Sequence, residues 1–82
     1  MEQKIKNIMA SVFGCNTSEI DDSTSADTLE NWDSLRHMNL IVALEEEFNL
    51  NFSEDETMEM LNYKLICIVI SDKLSVKNKI GE

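Results

Sequence analysis

Hydrophobic residues in the first thirteen positions recur at the spacing of an α-helix. The large apolar side chains are Ile5, Ile8, Met9, Val12 and Phe13, with charged or amide side chains between them. This spacing puts the apolar side chains on one face and predicts an amphipathic helix that ends near Gly14. Positions 15–33 are rich in Asn, Thr, Ser and Asp, which predicts a long ordered loop pinned by Ile20, Leu29 and Trp32.

A second apolar pattern begins directly after Asp33 and Ser34, two residues of types that often cap helices. It contains Leu35, Met38, Leu40, Ile41, Val42, Leu44 and Phe48. Positions 49–51 interrupt this helix. Ser53 and Glu56 then form a capping box, which predicts a short third helix. The apolar side chains of that helix are Met58, Met60 and Leu61.

A fourth apolar segment extends from Tyr63 to about Val76 and can be capped by Asn62. Its run 65–70 contains enough β-branched residues to be a strand candidate. A single strand would find no partner elsewhere in the chain, whereas a helix completes a bundle, so we predict a helix.

These elements predict an all-α fold, a four-helix bundle with a long first loop and a short third helix. We expect a single domain over residues 1–82, with its core in about 3–76 and a frayed tail at 77–82. Because so short a chain has little interior, we also expect few large aliphatic side chains on its surface.

Composition and charge narrow the functions that such a bundle can have. The chain has 16 acidic and 7 basic residues and a formal charge of −9, which disfavours binding to nucleic acid and favours partners with basic surfaces. Cys15 and Cys67 are too few for a disulfide framework, which predicts a cytoplasmic protein. The N-terminal segment has no continuous apolar region, so we expect no membrane insertion.

The candidate chemistry lies in the stretch 32–48, which reads WDSLRHMNLIVALEEEF. Asp-Ser-Leu opens the predicted helix and Leu-Glu-Glu-Glu-Phe closes it, and this combination resembles the acyl carrier protein family. The resemblance continues on both sides, from about residue 3 to residue 74. It implies a carrier and not an enzyme, with no catalytic residue and no metal site of its own.

The resemblance implies that Ser34 carries 4′-phosphopantetheine, attached by a phosphopantetheinyl transferase that uses coenzyme A. It also implies that Asp33 helps the transferase hold its metal ion, besides capping the helix. The start of a helix suits the phosphodiester, because its N–H groups and dipole favour an anion. On its own, however, Ser34 would be better explained as an ordinary capping residue beside Asp33, and only the rest of the pattern reverses this.

The resemblance further implies that partner enzymes read the surface of the second helix. The recognition residues it suggests are Leu35, Arg36, Met38, Asn39, Glu45, Glu46 and Glu47. Carriers of fatty-acid synthesis usually have acidic residues where Arg36 and Asn39 stand, and a glycine before Asp-Ser. We therefore expect a monomeric carrier of a specialised pathway, similar to those for secondary metabolites or bacterial surface saccharides.

Several other interpretations are weaker. The acidic stretch 21–32 has Ala26 and Trp32 where an EF-hand needs glycine and glutamate, and Ser34 lacks the G-x-S-x-G of a hydrolase. We expect His37 on the surface, and the methionines Met38, Met58 and Met60 in or near the core. Tyr63 and the bulky run 65–68 should leave little room for an acyl chain. The remaining alternative is an acidic helical interaction module that uses the groove between the second and third helices and carries no prosthetic group.

Overall fold

The computed structural model describes residues 1–80, with side chains to residue 76, and contains four helices. They are α1 (Glu2–Phe13), α2 (Ser34–Phe48), α3 (Glu54–Glu59) and α4 (Tyr63–Ile80). The described chain forms no strand, only one isolated bridge between Ser25 and Asn62. The all-α prediction is confirmed, and the ambiguous run 65–70 is helical.

Short-range signals set the helix ends. Gly14 follows α1 with a φ of 67°, a left-handed conformation that glycine adopts without strain. The Ser53 hydroxyl accepts from the N–H of Glu56 at 3.1 Å, and the Glu56 carboxylate accepts from the N–H of Ser53 at 2.8 Å. The Asn62 side chain accepts from the N–H of Leu65 at 2.7 Å. Each of these three predicted signals is confirmed.

The core lies between α1, α2 and α4. Its fully buried side chains from these helices are Ile5, Met9, Phe13, Leu40, Leu44, Ile66 and Ile70. The helices α1 and α2 run antiparallel, because Phe13 meets Trp32 at one end and Lys4 pairs with Glu47 at 3.3 Å at the other. Ile20 is buried with Trp32, so the long loop is held against the bundle as predicted.

The last helix is longer than its apolar pattern indicated. It continues to Ile80, one turn past the predicted end near Val76. The predicted tail at 77–82 therefore overlaps this turn, and its last two residues lie outside the described residues; its fraying remains a prediction. Among residues 1–80, no helix combines the length and hydropathy needed to cross a membrane.

Our expectation of few large apolar side chains on the surface is wrong. The exposed ones are Leu35, Met38, Val42, Met58, Leu61, Leu65, Ile68 and Val76, together with Met1. For Met38, Val42, Met58 and Leu61 the physical reason lies in α3, which has only six residues and cannot cover the apolar face of α2. An apolar groove is left open between these two helices.

Candidate functional site

Asp33 holds the start of α2 in place. Its backbone is extended, and its Oδ1 accepts from the N–H of Arg36 at 2.8 Å, as expected of a capping residue. Its Oδ2 lies 2.9 Å from Nη1 of Arg36, in an exposed ion pair. The hydrogen bond from the Arg36 N–H, followed by the charge of the guanidinium, lowers the pKa of the Asp33 carboxyl.

Ser34 is the first residue of α2 and is exposed to solvent. Its hydroxyl makes no hydrogen bond within the described part of the chain, because the capping bond comes from Asp33. An oxygen in this position can be modified without the loss of an internal contact. The first N–H groups of a helix and its dipole favour a negative charge there. Ser34 therefore fits a residue that carries a phosphodiester.

An apolar groove of about 760 Å³ opens beside Ser34 and follows α2 toward its C-terminal end. Its walls are formed by Ala26, Trp32, Asp33, Ser34, His37, Met38, Ile41, Val42 and Glu45 on one side, and by Phe52, Glu54, Thr57, Met58 and Leu61 on the other. Neither Tyr63 nor the run 65–68 lines it. The groove thus lies between α2 and α3, away from the residues that we expected to fill it.

His37 is not the surface residue that we predicted. Its Nδ1 accepts from Nε1 of Trp32 at 3.0 Å, and its Nε2 lies 2.9 Å from the carbonyl oxygen of Thr57. The imidazole is half-buried and joins the long loop, α2 and α3. The one signal in the sequence was Trp32, because the N–H of a buried indole usually finds an acceptor.

The methionines divide between core and groove. Met60 is fully buried, as predicted. Met38 and Met58 are 54% and 67% exposed, so their predicted place in or near the core is wrong. Both line the groove on opposite sides, where unbranched, polarisable side chains can adapt to different ligands.

The predicted recognition residues do not form one surface. Leu35, Arg36, Met38 and Asn39 are exposed around the start of α2. At its end, Oε2 of Glu45 accepts from the N–H of Phe52 at 2.9 Å, and Glu47 pairs with Lys4 at 3.3 Å. Glu46 is exposed. Glu45 and Glu47 therefore contact different neighbours, and the role of these residues in recognition stays a prediction.

Comparison with known proteins agrees with this geometry. Residues 3–67 match the family model described as the phosphopantetheine attachment site. The fold is similar to the solution NMR structure of a holo acyl carrier protein from Geobacter metallireducens, with a TM-score of 0.84. The two sequences are 31% identical, and the match covers 95% of this chain and 90% of that one.

Proposed function

The chain belongs to the phosphopantetheine attachment site family, and from that premise we propose that its prosthetic group is attached to Ser34. A carrier of this type is not an enzyme. Its covalently bound 4′-phosphopantetheine supplies a terminal thiol that holds acyl groups as thioesters. One observation carries the assignment to Ser34: an exposed hydroxyl without an internal partner stands at the start of α2 and at the mouth of an apolar groove.

We propose two roles for Asp33. It caps α2, which fixes the backbone of Ser34, and its carboxylate helps a phosphopantetheinyl transferase hold a metal ion during loading. A carboxyl is ionised at neutral pH without any shift, and the lowered pKa of Asp33 keeps it ionised in more acidic solution as well. Within residues 1–76, the partner of its Oδ2 is the exposed Arg36 side chain. An exposed ion pair of this kind is worth little and can open.

Loading in vitro tests this proposal. The apo protein, coenzyme A and a broad-specificity phosphopantetheinyl transferase should give a mass gain of one phosphopantetheine group. Digestion and tandem mass spectrometry should then locate the group on the peptide that contains Ser34. Absence of a mass gain, or a group found on another residue, would contradict the proposal.

We further propose that the holo protein delivers acyl groups in trans to partner enzymes with basic surfaces, as a monomer of a specialised pathway. The net charge supports basic partners. Arg36 and Asn39 support specialisation, because both are exposed on α2 near Ser34 at positions where carriers of fatty-acid synthesis usually have acidic residues. Two free cysteines, Cys15 and Cys67, support a cytoplasmic location.

A further inference from the structure

We propose that His37 bridges the groove between α2 and α3 and determines which acyl chains the carrier can shelter. We call the imidazole, with its bonds to Trp32 and Thr57, the strap. The inference rests on the proposed attachment at Ser34. Ser34, His37 and Ile41 are spaced i, i+3 and i+7 along α2 and therefore share one face of the helix. The imidazole therefore lies between Ser34 and the part of the groove beside Ile41 and Phe52, and all four residues line the same groove.

The chemistry of its two partners fixes the imidazole in one state. The indole N–H of Trp32 can only donate, so Nδ1 of His37 must be an unprotonated acceptor. The carbonyl of Thr57 can only accept, so the proton must be on Nε2. Only the neutral Nε2–H tautomer makes both bonds. The Trp32 ring is buried against Phe13, at 4.8 Å between centroids, so the donor that binds Nδ1 of His37 is fixed in the core.

On the α3 side of the groove, the imidazole bonds to a carbonyl in the last turn of α3. The N–H of Leu61 bonds to the carbonyl of Glu59, so α3 does not continue and the carbonyl of Thr57 lacks its usual helical donor. His37 supplies the missing donor. A chain that displaced the imidazole would leave both this carbonyl and the indole N–H of Trp32 without partners, which is costly at partly buried positions.

The strap reaches from α2 to α3 and therefore narrows the groove between the entrance beside Ser34 and the inner groove, the apolar part beside Ile41 and Phe52. Short acyl groups remain at the entrance and leave both hydrogen bonds intact. Longer chains reach the inner groove only if the strap opens, so in the parent protein they gain no shelter. His37 is thus a specificity-determining residue that favours short acyl groups.

The test compares two cargoes in one protein. A phosphopantetheinyl transferase moves acetyl- or octanoyl-phosphopantetheine from the corresponding coenzyme A thioester to Ser34, and adenosine 3′,5′-bisphosphate leaves. Loading is checked by intact mass, and the melting temperature Tm is then measured. We expect equal Tm values for the two cargoes in the parent. In His37→Ala, the octanoyl form should melt at least ~4 °C above the acetyl form, a rise expected from modest burial in a domain of this size.

Two variants serve as controls. His37→Gln should behave as the parent, since an amide oxygen can accept from Trp32 while its NH₂ donates to Thr57. Lys73→Met removes the 2.9 Å ion pair between Lys73 and Glu56, and also the contact of the ammonium with the Phe52 ring, while the strap stays in place. It therefore loosens α3 and the groove wall without breaking the bonds of His37. It should show no dependence on chain length.

A double variant is available if His37→Ala does not fold. Trp32→Phe combined with His37→Ala also removes the indole N–H that would be left without an acceptor, and the double variant then takes the place of His37→Ala in the test.

The quantity compared is the difference in Tm between the octanoyl and acetyl forms. The proposal would be overturned if this difference were as large in the parent as in His37→Ala, or if it were absent in His37→Ala. It would also be overturned if Lys73→Met showed the same difference as His37→Ala. A protein that fails to gain mass would instead contradict the attachment at Ser34. The failures of the two proposals are therefore distinguishable.

Discussion

Trp32 connects three parts of the molecule through one side chain. Its ring is 5% exposed and packs on Phe13, and its indole N–H bonds to His37. Trp32→Ala should lower the free energy of unfolding by ~3–5 kcal/mol, the usual cost of removing a large buried aromatic. Trp32→Phe keeps the ring contact and loses mainly the hydrogen bond, at about 1 kcal/mol. Urea denaturation measures both, and an unchanged midpoint for Trp32→Ala would show that the ring does not support the core.

Two methionines close in sequence provide a matched test of the boundary between core and groove. Met60 is fully buried, whereas Met58 is 67% exposed. Met60→Ala should cost ~2–5 kcal/mol because it leaves a cavity, and Met58→Ala should stay within ~0.5 kcal/mol as a surface change. Equal losses in urea denaturation would mean that the groove is closed in solution.

At the scale of elements, α3 depends on polar ties, because none of its six residues is buried. The N–H of Ser53, followed by the Lys73 ammonium, lowers the pKa of Glu56 from 4.5. The ionised carboxyl therefore stabilises the folded state above pH 4.5, and this stabilisation is lost as the pH falls through the lower folded pKa. When the pH falls from 7 to below the folded pKa of Glu56, the free energy of unfolding should therefore decrease less in Glu56→Gln than in the parent.

Urea midpoints across this pH range check the prediction for Glu56. The control is Glu54→Gln, which alters an exposed carboxyl in the first turn of the same helix. It should keep the pH dependence of the parent. If the urea midpoint changed equally with pH in the parent and in Glu56→Gln, the Glu56 carboxyl would not couple α3 to α4.

The elements also show what the sequence could predict. Caps such as Asp33, and Ser53 with Glu56, join residues three positions apart, so the sequence contains both partners of each bond. The bond from His37 to Thr57 joins residues twenty positions apart, and no local pattern indicates it. The exposure of the apolar groove residues was missed for the same reason, since it depends on how much of α2 the short α3 covers. Ser34 was found from a family motif, and the structure adds its exposure and the groove beside it.

At the scale of the whole molecule, a formal charge of −9 should speed encounter with basic partners, while local residues decide which of them bind. Arg36 and Asn39 are exposed on α2 at positions that are usually acidic in fatty-acid carriers. We expect poor transfer of malonyl groups to the holo protein by fatty-acid enzymes, because Arg36 would face a basic surface. Arg36→Asp with Asn39→Glu should raise the transfer rate.

Malonyl transfer rates measure that effect, with loading by the transferase as the control that should not change. A parent protein as efficient as a general carrier would show that the altered charge does not select partners. An unimproved double variant would show that other residues do.

The most direct measurement of the central claim is the intact mass of serine variants after incubation with coenzyme A and a phosphopantetheinyl transferase. Ser34→Ala should fold with a helical circular dichroism spectrum, because Asp33 makes the capping bond of α2, and it should gain no mass. Ser53→Ala changes another serine at a helix start and should gain one phosphopantetheine group, like the parent. A mass gain in Ser34→Ala, or none in the folded parent, would contradict the account.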